Sequence, residues 1–84
     1  MNNIEELKQD LKKATPLIGI EVNLKKLRKG EIKKLYLAKN CKDKDTLLKY
    51  AKNAGIIILT LEQNNVELGV LCKKPFSISA LGFE

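Results

Sequence analysis

The sequence predicts an α/β fold: a three-layer α-β-α sandwich with a four-stranded mixed sheet. Three observations carry that expectation. Segments with apolar residues at helical spacing alternate with short apolar runs in the order α-β-α-β-α-β-α-β, the pattern of helices laid on both faces of a partly parallel sheet. The run Ile56-Ile57-Ile58-Leu59-Thr60-Leu61 is almost unbroken in its apolar character, as expected of a central strand covered on both faces. The length of 84 residues fits one domain over residues 1–84, with no repeat, linker or low-complexity tract, and leaves little room for a deep enclosed active site.

Each element has a local justification. Ile4, Leu7, Leu11 and Ala14 form an apolar stripe for a first helix from about Asn3 to Ala14. Asn2 or Asn3 can cap it, and Glu5 and Glu6 suit the positive end of its dipole. Thr15-Pro16 ends it, because a residue before proline disfavours helical dihedrals. Leu17-Ile18 forms a very short strand. Gly19 opens a second helix with Ile20, Leu24 and Leu27 inward, and Gly30 closes it as a left-handed residue just past the helix end. A strand over Lys33–Lys39 centres on Leu35-Tyr36-Leu37-Ala38. Asp43 stands as the N-cap of a third helix, Lys44 to Ala54, with Leu47, Leu48, Ala51 and Ala54 on its apolar side and Gly55 as its stop. After the isoleucine-rich strand, Asn64 or Asn65 caps a short helix through about Cys72. The last strand is expected over Phe76–Phe83, with Phe76, Ile78 and Ala80 on one face.

The chain is basic, with 16 Lys and Arg against 10 Asp and Glu and a net charge of +6. The charge is unevenly spread: residues 17–40 carry +5, whereas residues 1–16 are neutral and residues 56–84 sum to −1. Such a concentration fits a face for an anionic partner. Its bland alternative is a lysine-rich surface, and the basic last turn of the second helix also suits the helix dipole. Enzyme chemistry is not expected. The chain has no His, no phosphate-binding glycine loop, and no base beside Ser77, Ser79, Cys41 or Cys72. No catalytic residue, metal site, cofactor or small-molecule substrate is therefore expected. Cys41 and Cys72 fit no metal-ligand spacing. As two lone cysteines without a secretory signal, they point to free thiols in a reducing cytoplasm. No apolar run approaches the roughly 20 residues of a membrane span, and no membrane partner is expected.

Three loop ends can hold chemistry. Gly19 allows close backbone approach at a helix start, where free N–H groups favour phosphate, and Lys25 can reach along that helix. Asn40, after the second strand, offers a donor and an acceptor suited to a base edge. The turn Lys73-Lys74-Pro75-Phe76 combines two cations, a fixed φ and a flat apolar ring. Each has a structural alternative: Gly19 as a turn glycine, Asn40 as a loop cap, Phe76 as part of the core.

These segments also carry a family resemblance. Gly19-x5-Lys25-x4-Gly30, Leu37-Ala38-Lys39-Asn40, Val66-Glu67-Leu68-Gly69 and Lys74-Pro75-Phe76-Ser77-Ile78-Ser79-Ala80-Leu81 occur in the order and spacing of the kink-turn RNA-binding L7Ae/L30e superfamily. The chain resembles it over about residues 15–83, and the L30e branch most closely. The resemblance implies an α-β-α sandwich that binds a sharply bent internal loop of RNA by shape. By position, Gly19 would sit against the bent backbone, Lys25 and Lys26 would contact phosphate or a groove edge, and Asn40 would bond a base or sugar. Lys73, Lys74, Pro75 and Phe76 would pack a flipped nucleotide. Three positions depart from the pattern. Glu21, within the same RNA-facing set, replaces a usually basic residue. Val22 replaces a polar one, and Lys73 replaces a glycine. The expectation is an RNA-binding protein of the large ribosomal subunit, archaeal in type, cytoplasmic, with kink-turn rRNA and other ribosomal proteins as partners. The alternatives are a stand-alone kink-turn binder that assembles other ribonucleoproteins, or a protein-interaction module on the same fold.

Overall fold

The computed structural model describes residues 3–84; the expected cap at Asn2 lies outside them. The elements are α1 (Asn3–Lys13), β1 (Leu17–Ile18), α2 (Ile20–Arg28), β2 (Lys34–Leu37), α3 (Lys44–Ala54), β3 (Ile57–Thr60), α4 (Asn65–Leu71) and β4 (Ala80–Phe83). They form a mixed four-stranded sheet of order β1-β4-β2-β3, in which β4 is antiparallel to both β1 and β2, and β2 is parallel to β3.

Strand alternation sends successive side chains to opposite layers. Tyr36 and Ala38 from the second strand region, with Leu81 and Phe83 of β4, face a core completed by Leu7 of α1 and Leu68 of α4. Leu35, Leu37 and Ala80 face the other core, completed by Leu27 of α2 and Leu47 and Ala51 of α3. Helices thus cover both faces, as the sequence predicts. At the start of β2, Lys34 donates to Glu6 (2.8 Å) and Asp10 (3.0 Å), and the buried Tyr36 hydroxyl donates to Asp10 (2.5 Å). Partial burial alone would raise the Asp10 carboxyl. Those two hydrogen bonds and the nearby lysine charges hold it below its ordinary value instead.

Several expectations are corrected. The isoleucine-rich run is an edge strand rather than a central one: β4 inserts between β1 and β2, so among the described residues β3 pairs with β2 alone, and Ile57 is 56% exposed. The last strand begins at Ala80 rather than Phe76, because the preceding residues bond elsewhere. Lys74 N–H donates to the Gly69 carbonyl and Ile78 N–H to the Asn65 carbonyl, both at 2.9 Å. Phe76 is 52% exposed, and Ile78 and Ala80 belong to different core layers. Ala14 and Ala54 are exposed rather than part of their apolar stripes. Asp43 occupies the N-cap position of α3 without a side-chain capping bond. Asn3 ties α1 to the edge strand, donating to the Thr60 carbonyl at 3.0 Å.

Candidate nucleic-acid interface

The carboxyl ends of β1, β2 and β3 and the start of β4 share one end of the sheet: Ile18 pairs with Leu81, Leu37 with Ala80, and Thr60 with Leu37 on its other side. The loops leaving that end are cross-linked. Gly19 N–H donates to the Ala80 carbonyl (3.2 Å), Ala38 N–H to the Ser79 carbonyl (2.9 Å) and Lys39 N–H to the Gln63 carbonyl (2.9 Å). Asn40 and Asn65 form a two-way clamp: the Asn40 side-chain amide donates to Asn65 Oδ1, and Asn65 N–H donates to Asn40 Oδ1, both at 2.9 Å. Ile78 N–H then bonds the Asn65 carbonyl. Gly19, Asn40 and the segment before β4 are in this way held in one arrangement.

Local sequence explains each piece. Gly19 has φ +110°, a region that side-chain-bearing residues rarely adopt. Asn23 stabilises the strand-to-helix turn around it from within the core. It is fully buried, and its amide donates to the carbonyls of Leu17 (2.9 Å) and Gly19 (2.6 Å). Its Oδ1 points at Gly82, where an added Cβ would collide with it. Asn64 caps α4 in a reciprocal box with Glu67, which leaves Asn65 for Asn40. Gly69 lets the returning chain pass against α4, since a Cβ there would strike the Phe76 carbonyl.

The predicted site residues are not all gathered equally. Gly19 and Asn40 lie at the sheet end. Lys73 and Lys74 line a groove with Ile18, the residue before Gly19, so the Lys73–Phe76 turn flanks the same end. Pro75 and Phe76 are exposed beside the exposed Val66 and Val70 of α4. Lys73 adopts φ +58°, so a side-chain-bearing residue holds a left-handed turn. Lys25 lies about one and a half helical turns from the start of α2, on the side shared with Glu21 and Val22 at i−4 and i−3, and all three are exposed. Lys26 is not part of the cluster. It donates to Glu31 at 2.8 Å, and its pKa is raised first by that bond and then by the charges of Glu31 and Glu84, which lie toward the opposite end of β4. Asn23 and Gly82 have no place in the sequence expectations, and Asn65 and Gly69 appear there only as a candidate cap and as part of the Val66–Gly69 motif, not for the contacts they make. Asn23 is visible in the sequence as a polar residue that interrupts the apolar spacing of Ile20, Leu24 and Leu27.

The profile of the ribosomal protein L7Ae/L30e/S12e/Gadd45 family matches residues 2–84. The chain belongs to this family. Among its relatives is the large ribosomal subunit protein eL30 of Archaeoglobus fulgidus, 38% identical over 96% of this chain and 93% of the relative. The protein of the same name from Sulfurisphaera tokodaii is 34% identical over 92% of this chain and 74% of the relative. These names describe ribosomal proteins, not enzymes. The fold of this family member recurs in a Bacillus halodurans protein of unknown function, with TM-score 0.72 and 22% identity over 80% of this chain and 68% of that one. It also recurs in the archaeal translation termination factor aRF1, with TM-score 0.67 and 20% identity over 95% of this chain and 23% of that one.

Proposed function

We propose that this family member is an RNA-binding structural protein of the large ribosomal subunit, working in cytoplasmic ribosomes as a single domain. It binds a kink-turn-type internal loop of rRNA at the carboxyl end of its sheet. The observation that carries this reading is the cross-linked set of loops joining Gly19, Asn40, Asn65 and the segment before β4. A shape-reading surface must be rigid before its ligand arrives, because RNA loops are recognised largely by backbone course and unstacked bases. Gly19 has no side chain to hold an RNA backbone away, and the space where a Cβ would stand is open. Asn40 retains one amide hydrogen and oxygen lone-pair capacity beyond its clamp to Asn65. Lys25, Lys73 and Lys74 take part in no ion pair among the described residues and are available to phosphate. Phe76, half exposed, offers a face to an unstacked base. Other ribosomal proteins are further partners on this reading, which the exposed Val66 (60%) and Val70 (73%) support as an apolar contact strip.

The test is a gel-shift titration with a kink-turn RNA against an unbent duplex of the same length. Preferential binding of the bent RNA, weakening as salt rises, is expected; equal affinity for both RNAs rejects the reading. Lys25→Glu combined with Lys74→Glu should abolish binding. Normal co-sedimentation of that variant with ribosomes would assign the attachment to protein contacts instead.

A further inference from the structure

We propose that the groove between α1 and α4 holds nucleotides of the RNA strand leaving the bend, so that RNA follows the protein's flank as well as the end of its sheet. The inference rests on the RNA reading above and extends it to an adjoining flank that shares Lys73 and Lys74 with that site and adds Lys8 and Lys12. The groove encloses about 560 Å³, within the usual range of ligand sites. Leu11, Ile18 and Leu71 give it an apolar lining. Its four charged residues are all cationic: Lys8 and Lys12 from α1, Lys73 and Lys74 from the chain after α4. None of these lysines takes part in an ion pair among the described residues, whereas Lys26 and Lys34 both have carboxylates within 3.0 Å.

Like charges gathered around one concavity repel each other and concentrate field there, so an anionic occupant is favoured. Lys8 and Lys12 are four residues apart and share one side of α1, offset by about 6 Å along its axis. They form a row able to follow a chain of phosphates. The charge of Lys74 reaches inward as well: burial pushes the Cys72 thiol up, and Lys74 opposes that push. An acidic peptide with aliphatic side chains would satisfy the same charges. The borders of the groove favour RNA. Ile18 immediately precedes Gly19, and Lys73-Lys74 immediately precede Pro75-Phe76, so a strand leaving the sheet end meets the groove directly. With no aromatic residue lining it, the groove can pack ribose and base against aliphatic carbon but offers no stacking platform, and little sequence preference is expected.

The experiment compares a blunt kink-turn hairpin with the same hairpin carrying a short single-stranded uridine tail on the strand leaving the bend. Each is titrated with the unaltered protein and with the Lys8→Gln/Lys12→Gln variant, whose fold is checked by circular dichroism. The tail should tighten binding to the unaltered protein about tenfold and steepen its salt dependence by about 1.4 in log–log slope, two single-strand phosphates at about 0.7 each. The variant should lose that gain while binding the blunt hairpin normally. Absence of any gain from the tail overturns the proposal, as does an equal loss by the variant on both hairpins. Displacement of the tail's effect by an unrelated anionic polymer alone, with no gain over a tailed straight duplex, would reduce it to nonspecific attraction. Lys8- and Lys12-dependent binding of an acidic leucine-rich peptide, with no gain from the tail, would reassign the groove to a protein partner. Equal binding of the blunt hairpin and a straight duplex would overturn the kink-turn reading itself, and the tail comparison would still decide the groove.

Discussion

Gly69→Ala is a substitution for which two physical effects predict opposite signs. Gly69 lies inside α4, where alanine gains about 1 kcal/mol over glycine in helix propensity. Propensity alone therefore predicts a more stable protein. The structure predicts the reverse. An added Cβ would overlap the Phe76 carbonyl oxygen and stand 3.1 Å from the Phe76 carbonyl carbon and 3.4 Å from Ser77 Cα. All three are backbone atoms, so no rotamer change relieves the overlap. The segment must move outward until ordinary contact near about 3.5 Å is restored. It is held in place by the 2.9 Å bonds from Lys74 to Gly69 and from Ile78 to Asn65, and by Ile78, which is 1% exposed. Overpacking of this kind costs about 1–3 kcal/mol, and one lost hydrogen bond about 1 kcal/mol. After the propensity gain, a net loss of about 1–3 kcal/mol remains. Thermal unfolding should show it as a fall of roughly 5–20 °C, given about 4–8 °C per kcal/mol for a domain of this size. Urea unfolding should show a lower midpoint with an unchanged slope. Val70→Ala, at the neighbouring and 73% exposed position, should move stability by less than about 0.5 kcal/mol. An unchanged or raised Tm for Gly69→Ala would refute the argument that this glycine exists for the approach of the Lys73–Ile78 chain.

Three other perturbations separate structure from recognition. Lys73→Gly relieves a left-handed residue at φ +58° worth about 1–2 kcal/mol and gives back about 0.5–1 kcal/mol in unfolded-state entropy; Tm should hold or rise by a few degrees, while the salt slope of RNA binding falls by about one phosphate contact. Asn40→Ala and Asn65→Ala in a double-mutant cycle should show a stability coupling of about 0.5–3 kcal/mol, the range for residues in contact; a coupling near zero would mean that the amide of Asn40 does not hold the start of α4. Asp10→Asn bears on acid stability: the Asp10 pKa lies below its ordinary value of 3.8 in the folded state, so its contribution is fully present above pH 4 and is lost as pH falls through the lowered folded value. The variant should be less stable at pH 7 by about 1–2 kcal/mol, two charged hydrogen bonds discounted for partial exposure, and its denaturation midpoint should fall less steeply than that of the unaltered protein on acidification below pH 4.

What was legible in the chain was mostly what short-range physics decides. Gly55 at φ +67° ends α3, and of the two expected caps, Asn64 and Asn65, Asn64 starts α4, because caps act within one helical turn. The errors came where one pattern serves two structures. An unbroken apolar run reports coverage of two strand faces, not the number of strand neighbours. Ile56–Leu61 therefore reads as central, whereas among the described residues no strand pairs with its outer edge, and Ile57 is exposed. The alternation Phe76, Ile78, Ala80 has a strand's period of two, yet the backbone bonds of Lys74 and Ile78 go to α4. Gly19, Asn40 and the Lys73–Phe76 turn could be proposed as site residues from chemistry and resemblance. Their internal partners could not, because Asn40 and Asn65 are 25 positions apart and no local periodicity links them.

That division bears on how the surface would recognise RNA. The asparagines nearest the sheet end are largely committed to the protein: Asn23 to the carbonyls of Leu17 and Gly19, Asn40 and Asn65 to each other, and Asn64 to Glu67. Their amides fix the loops. The groups left for a ligand are the cations Lys25, Lys73 and Lys74, the ring of Phe76, the open space over Gly19, and the amide hydrogen and lone pair that Asn40 keeps beyond its clamp. On α2 the basic contribution is offset by Glu21, one turn from Lys25 on the same side. The density of free positive charge therefore shifts toward the Lys73–Lys74 turn and the groove beyond it. A surface built this way discriminates by whether a bent backbone fits a fixed set of loops, more than by base-edge hydrogen bonds. Changing the sequence of the bound loop while keeping its bend should thus cost less affinity than straightening it, and neutralising Lys73 and Lys74 should cost more than neutralising Lys25.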